Sequence, residues 1–538
     1  MAVRIHLSGI CRGSPHPRRS RPMETAAQPG LAHPAVTREI GTAVRHTIVY
    51  GIGTLATKAI GFLLLPLYTY YLRPADYGAL EVLDLTMSLL GMLLNMGVMA
   101  AVLRFYAAAK SDHEKRQIVG SAFLAMAVTG CCLGGAGFVS LRHVAPLLFG
   151  PTIPPVYIGL CFGSFLLNYI TTVPYTYIRA KEASGTLVLV DVVSTAVTMA
   201  LTVYCVAVLK WSLYGVLWSA FVVGCVRAPL LISWTIGDIG IELNWGVLRK
   251  LAAFGAPLVF SNLAMFILNF SDRFFLQRLR SLDVVGVYAA GYKFGFLLNF
   301  VFIQSFNMMW QARMYIIQRQ PDHEKTFAQV LALYFSVLSF AALGLSLFGG
   351  DIVRLMVDRH YSGAERVIPV VSLAYVCLAI GSFLQLGMFL SGKTGMIGVL
   401  CAAAAILSIG LNYLLISFYG MLGAAWATVA GFALLAAGSY YCSQRVCPMN
   451  LKVGRVLRGL VMGVALYSVS LALGNSGVWI AFVGKLVLLV SFPVTLWMTR
   501  VLSSEEMATL DSLRANVIEA ASRLARPAWL KKSSGVEE

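Results

Sequence analysis

The chain has 538 residues, of which 58% are hydrophobic and only 12% are charged. A soluble domain carries about 25% Asp, Glu, Lys and Arg, so this composition excludes a water-soluble globular protein. The net charge of +18 would suit a nucleic-acid partner, but the basic residues lie in short turns between apolar runs and in the two tails, as in membrane proteins.

The first part of the chain, residues 1–44, is rich in Pro, Arg, His and Ser. It lacks the apolar region that a signal peptide needs, and its composition predicts a disordered basic tail on the cytoplasmic side. The sequence leaves the start of the protein open between Met1 and Met23.

Apolar runs of about 20 residues then follow one another, and each is long enough to cross the hydrocarbon layer as a helix. They lack the two-residue alternation of a barrel strand, which predicts an all-α integral membrane protein. About fourteen spans are predicted, at approximately 48–70, 80–103, 118–140, 154–178, 186–209, 213–235, 251–271, 285–310, 327–349, 367–390, 396–418, 422–442, 457–473 and 478–500.

The loops between these spans predict the orientation. Loops after even-numbered spans hold roughly 16 Lys and Arg residues, whereas loops after odd-numbered spans hold about nine. Because positive charge is retained on the cytoplasmic side, we expect both termini in the cytoplasm.

The chain also repeats itself with an offset of about 208 residues. The sequence Asp-His-Glu-Lys at 112–115 recurs at 322–325. Likewise, Asp-Tyr-Gly at 76–78 parallels Asp-Val-Val-Gly at 283–286. This predicts two pseudo-symmetric six-helix bundles. The predicted parts are the tail 1–44, bundles at 45–240 and 241–445, two additional transmembrane helices at 446–502, and a cytoplasmic tail at 503–538.

The sequence Pro-Ala-Asp-Tyr-Gly at 74–78 resembles the signature that follows the first span of polysaccharide transporters. Asp272-Arg273 and Val-Gly-Val-Tyr at 285–288 are similar to the pattern in the second half of that family. These are the Wzx-type flippases of the multidrug, oligosaccharidyl-lipid and polysaccharide (MOP) exporter superfamily. The resemblance covers roughly residues 45–500 and implies a MOP/MATE-like fold of twelve core spans plus two.

Ionisable and polar residues inside apolar spans are the candidate functional residues. A charge at the bilayer centre costs at least about 2.5 to 3.5 kcal/mol, so such residues normally face a polar interior. The predicted substrate-binding residues are Lys58, Arg227, Arg273, Lys293, Asn269 and Gln304. The predicted ion-coupling residues are Asp84, Asp191 and Asp272.

A structural interpretation of the same residues stands beside the functional one. Polar side chains in neighbouring helices can satisfy one another, and each carboxylate can pair with Lys58, Arg227 or Arg273 to lower the cost of burial. No cluster of Cys and His has metal-ligand spacing, so we expect neither a metal nor a cofactor.

The resemblance implies a flippase for an undecaprenyl-diphosphate-linked oligosaccharide, used in exopolysaccharide, capsule or O-antigen synthesis. Internal cations would offset the diphosphate, and alternating access would carry the head group across the bacterial inner membrane. The expected partners are the lipid-linked oligosaccharide, membrane lipid, H+ or Na+ as coupling ion, and polymerase and glycosyltransferase proteins. We expect a transporter and not an enzyme.

Two other classes of protein remain open, and a third alternative is a flippase with a different cargo. A multidrug exporter of the same superfamily would share the doubled fold. A membrane polysaccharide polymerase or glycosyltransferase would need catalytic groups in a sizeable outer loop, but residues 351–366 are short and read as a solvated run of charges. A flippase for the peptidoglycan precursor would differ in cargo alone.

Overall fold

The computed structural model describes residues 62–95, 97–149, 153–181, 183–240, 242–472 and 477–499. Every regular element in these ranges is helical, because a helix satisfies its backbone hydrogen bonds within one segment. Lys58, the tails 1–44 and 503–538 and most of the first predicted span lie outside the described residues.

The helices follow the predicted apolar runs closely, with two π-helical turns at Tyr204–Val208 and Asn299–Gln304. They are α1 at 62–71, α2 (Pro74–Asn95), α3 (Val98–Ala108), α4 (Asp112–Phe149), α5 (Pro155–Ile170), α6 (Thr172–Ala180), α7 (Ser184–Val203), α8 (Ser212–Ile239), α9 (Trp245–Leu279), α10 (Leu282–Leu298), α11 (Ser305–Ile317), α12 (His323–Met356), α13 (Val367–Leu384), α14 (Leu386–Leu390), α15 (Gly395–Val446), α16 (Val453–Ala472) and α17 (Val478–Met498).

Among the described residues, eleven helical segments are long and apolar enough to cross a membrane. This confirms the helical membrane class, but it does not confirm the predicted number of fourteen. The eleventh and twelfth predicted spans both lie in α15, as two helices that meet at Gly420, where φ is 58° and ψ is −130° and the backbone is not helical. The eleven segments count these two helices as one. The seventh predicted span is α9, which has 35 residues and is not among the eleven.

The described chain divides into two compact units. The first unit holds the described residues up to Lys293, together with Val353–Val367 and Gly398–Gly431. The second unit holds Phe294–Ile352, Ile368–Ile397 and the described residues from Phe432 onward. The predicted bundle boundary between residues 240 and 241 stays a prediction.

Within the first unit, α2 and α10 cross with their backbones in contact at two glycines. A Cβ atom on Gly78 would overlap the carbonyl oxygen of Leu282, and one on Gly286 would overlap the carbonyl oxygen of Pro74. The contact is reciprocal, and Gly78 and Gly286 are equivalent positions of the predicted repeat. The equivalent helices therefore meet about a local two-fold axis, at a distance that only glycine allows.

The segment between α12 and α13 packs against the start of α2. Tyr361 is fully buried, its hydroxyl donates to the carbonyl oxygen of Leu72 at 3.1 Å, and its ring lies 6.0 Å from that of Tyr77. The backbone N–H of His360 donates to Asp358 at 3.0 Å and lowers the pKa of that carboxyl. The segment is predicted to be a solvated run of charges, and Arg359 and His360 are indeed exposed, while Tyr361 anchors the segment in the first unit.

In the second unit, the C-terminal helix α17 is attached to α12 by one ion pair and an apolar contact. Lys485 lies within α17 and places its Nζ 2.6 Å from Asp351 of α12. Phe492 is fully buried beside Leu347 and Leu496. The ion pair lowers the cost of placing a lysine inside an apolar helix.

Candidate functional site

An ion pair lies beside the crossing of α2 and α10. The Nζ of Lys293 is 2.7 Å from Oε1 of Glu81 and 4.9 Å from the centre of the Tyr77 ring. Tyr77 is fully buried, whereas 35% of the Lys293 side chain and 18% of the Glu81 side chain are exposed. The crossing therefore presents an accessible ammonium group that is held by a carboxylate and an aromatic face.

A second, buried ion pair lies on α9. Arg273 Nη1 donates to Asp272 Oδ1 at 2.7 Å and to the carbonyl oxygen of Asn269 at 2.9 Å. The Tyr288 hydroxyl donates to the same carboxylate, and the Tyr292 ring lies 3.8 Å from the guanidinium carbon. Since both charged side chains are almost completely buried, this pair neutralises itself inside the protein.

The two pairs belong to one electrostatic group. Tyr292, which covers Arg273, precedes Lys293 directly in α10, and Arg273 is close enough to Glu81 to interact with it electrostatically. Asp84 lies one helical turn beyond Glu81 and is exposed. The site thus contains three carboxylates and two cations, and its accessible cation is already paired with one carboxylate.

The polar face of α9 continues towards α15 in the same unit. Asn412 Nδ2 donates to Ser271 Oγ at 3.2 Å and to Ser408 Oγ at 3.4 Å. The bond to Ser271 joins the two helices, and hydrogen bonds of this kind stabilise a membrane protein because lipid offers polar groups no partner. It helps to hold α9, and with it Arg273, in position.

The other predicted residues in the described part of the chain, Asp191, Arg227 and Gln304, take no part in the two ion pairs. Asp191 accepts a hydrogen bond from the Tyr175 hydroxyl at 2.7 Å. Arg227 is half-buried in α8, and no ion pair involves it in the part of the chain that the structure describes. Gln304 is exposed and belongs to the second unit. Their roles as binding or coupling residues stay predictions, as do those of Arg273, Asn269 and Asp272.

Sequence reasoning missed Glu81, the direct partner of Lys293. A signal for it was present, since Glu81 lies four residues after Tyr77 and three before Asp84, on one face of a helix. It follows the 74–78 motif at the start of its span, where a charge is common.

A cavity of about 560 Å³ opens beside the first turns of α2 and α10. Both signs of charge line it, and Ser212 Oγ donates to Asp76 there at 3.2 Å. Its other charged residues are Arg278, Arg280 and Asp283. Two of the guanidinium donors of Arg280 are engaged with the carbonyl oxygens of Ile416 and Ser417 at 3.1 and 2.7 Å.

Comparison with known proteins gives one family and a set of similar folds. The sequence model of the family described as "Polysaccharide biosynthesis protein" matches residues 43–310. No curated protein sequence matches the chain.

Three solved structures illustrate the shared fold. The lipid II flippase MurJ, in an inward closed conformation, is 12% identical with a TM-score of 0.66 and covers 84% of this chain and 99% of its own. An inward-facing multidrug resistance MATE family transporter of the MOP superfamily is 13% identical, with a TM-score of 0.60, over 74% and 95% of the two chains. A mutant of the Vibrio cholerae MATE transporter VcmN is 13% identical, with a TM-score of 0.54, over 76% and 97%. At these identities the likeness shows a common fold.

Proposed function

Because this chain belongs to the polysaccharide biosynthesis protein family through residues 43–310, we propose that it is a flippase for an undecaprenyl-diphosphate-linked oligosaccharide. It moves the head group from the cytoplasmic to the outer leaflet by alternating access, for exopolysaccharide, capsule or O-antigen synthesis. Its structural neighbours are a lipid II flippase and multidrug transporters, so the fold is one of transporters and not of enzymes.

The observation that carries this proposal is the accessible ammonium group of Lys293 within an apolar span. A lysine on a membrane helix can form charge-assisted hydrogen bonds to a diphosphate while the prenyl chain stays in hydrocarbon.

The location and the partners follow from the same proposal. The protein is a multi-pass membrane protein, and we place it in the bacterial inner membrane with both termini in the cytoplasm. Glycosyltransferases would supply the lipid-linked cargo and a polymerase would consume it. The reorientation would use an H+ or Na+ gradient, for which Asp84, Asp191 and Asp272 are the predicted coupling residues.

The test is flipping of a fluorescent, diphosphate-linked disaccharide lipid in vesicles that contain the purified protein. We expect Lys293→Ala to lower the flipping rate by about 10- to 100-fold, as loss of a charge-assisted hydrogen bond implies, without reducing membrane insertion. The matched control is Lys485→Ala, which also removes a paired lysine from a membrane helix but lies in the other unit. Equal flipping by the Lys293→Ala and wild-type proteins would contradict the role of Lys293, and a wild-type protein that does not move the lipid would contradict the function.

A multidrug exporter is the second candidate function, because the carboxyl groups of Glu81 and Asp84 would suit a cationic drug. Efflux of a cationic dye by the same vesicles, with no movement of the lipid, would support that function instead.

A further inference from the structure

Glu81 is paired with Lys293, the one cation of the described site that cargo can reach. Its Oε1 atom lies 2.7 Å from Lys293 Nζ, and about a third of the Lys293 side chain is exposed. Arg273, by contrast, is almost fully buried and held by Asp272. A phosphate that enters the site meets an ammonium group that already has an anionic partner.

A phosphate and the Glu81 carboxylate repel each other if both stay close to the same ammonium group. Arg273 attracts Glu81 electrostatically but is committed to its own carboxylate, and Asp84, one turn further along α2, supplies no positive charge. Close binding of a phosphate to Lys293 therefore requires Glu81 to withdraw.

Lys293 keeps a second favourable contact, with the Tyr77 ring, while phosphate replaces Glu81. The fully buried ring of Tyr77 lies 4.9 Å from its Nζ, and a cation over an aromatic face is attracted whichever anion is present. Tyr77 and Glu81 are four residues apart on one helix face, so the ring stays in place when the carboxylate side chain turns away.

We propose that Glu81 is an internal counter-ion that replaces the cargo phosphate on Lys293 whenever the site is empty. This rests on the proposed function, because a flippase reorients once with cargo and once without it in each cycle. An unpaired ammonium group is costly in a low-dielectric interior, and Glu81 removes that cost during the empty return. The cargo phosphate removes it during the loaded step.

The proposal predicts different effects of Glu81 variants on net flipping and on exchange. Net flipping, with cargo on one side only, needs the empty return, whereas exchange of labelled for unlabelled cargo, present on both sides, does not. We expect Glu81→Gln to lower net flipping by about tenfold and to leave exchange within about twofold of wild type. Because a competitor is removed, the variant should bind farnesyl diphosphate about fivefold more tightly.

The measurements use the full-length protein in vesicles and, for binding, in detergent. Glu114→Gln is the matched control, because Glu114 is an exposed glutamate in the first turn of α4, outside the site, and its variant should behave as wild type. Glu81→Asp covers the case in which Glu81→Gln fails to insert, since its shorter carboxylate should lower the ratio of net flipping to exchange to a smaller extent.

The outcomes separate this inference from the function on which it rests. If the wild-type protein flips cargo but the Glu81 variants keep its ratio of net flipping to exchange, the counter-ion role is wrong and the flippase stands. If both modes fall together with the thermal midpoint, Glu81 is a structural residue only. A wild-type protein that neither binds farnesyl diphosphate nor moves the lipid overturns both proposals.

Discussion

At the scale of single residues, the two ion pairs beside α10 differ in how far a ligand can reach them. Lys293 is partly open and held by a single carboxylate, whereas Arg273 is closed off by Asp272, Asn269 and Tyr292. Sequence reasoning grouped both cations as substrate-binding residues because each lies in or beside an apolar span. Burial now favours a structural role for Arg273, which can be tested.

Arg273→Met should destabilise the protein, because it leaves Asp272 buried without its cation. Breaking a buried ion pair costs about 3–5 kcal/mol, which should be seen as a lower thermal midpoint of the purified protein in detergent. The double variant Asp272→Asn/Arg273→Met should recover part of this loss, since no uncompensated charge remains. A single variant as stable as wild type would show that the arginine serves cargo rather than the fold.

At the scale of elements, the crossing of α2 and α10 places the site. The backbones touch at Gly78 and Gly286, and Glu81 and Lys293 lie one and two turns beyond these glycines on their helices. A larger separation of the helices would move the carboxylate away from the ammonium group. The glycines therefore determine whether the ion pair can form.

Gly78→Ala and Gly286→Ala should each destabilise the protein and lower flipping, because each added methyl group meets a backbone carbonyl that cannot move alone. Overpacking of this kind costs about 1–3 kcal/mol, and the reciprocal contact predicts similar losses for the two variants. Thermal midpoints and flipping rates measure the effect.

Gly410→Ala is the control for these two variants, because a Cβ atom there meets nothing within 4 Å. It should be neutral or slightly stabilising, as alanine favours a helix over glycine. Equal behaviour of all three variants would mean that the crossing tolerates a wider spacing.

At the scale of the whole molecule, hydropathy and loop charge predict the orientation in the membrane. The segment with Asp358 and Tyr361 follows an odd-numbered predicted span, so it belongs to the outer side, while Lys181 follows an even-numbered one and belongs to the cytoplasmic side. Lys181 pairs with Asp238 at 2.6 Å, and this carboxylate raises the pKa of Lys181.

Reporter fusions test this orientation. Alkaline phosphatase fused after Gly363 should be active, because that enzyme matures only outside the cytoplasm, whereas a fusion after Lys181 should be inactive. Green fluorescent protein should give the opposite pattern at the two positions. The reverse result at both sites would contradict the orientation and the proposed direction of transport.

The sequence by itself determined the class of the protein, the positions of most helices and the internal repeat. These follow from local properties: an apolar run of sufficient length becomes a helix in lipid, and a repeated pattern of turns and charges marks duplicated bundles. It also identified Lys293, Asp272 and Arg273 as unusual, because each is a charge in or at the end of an apolar run.

Only the tertiary structure decided which of these charges pair and which stay accessible. Glu81 and Lys293 are distant in the sequence, and their contact depends on the angle and spacing at which α2 and α10 cross. The burial of Arg273 in α9 likewise depends on aromatic side chains of α10 that pack against it and bond its partner Asp272. Helix formation is local, but the pairing of charges between helices is set by packing, which one-dimensional patterns do not contain.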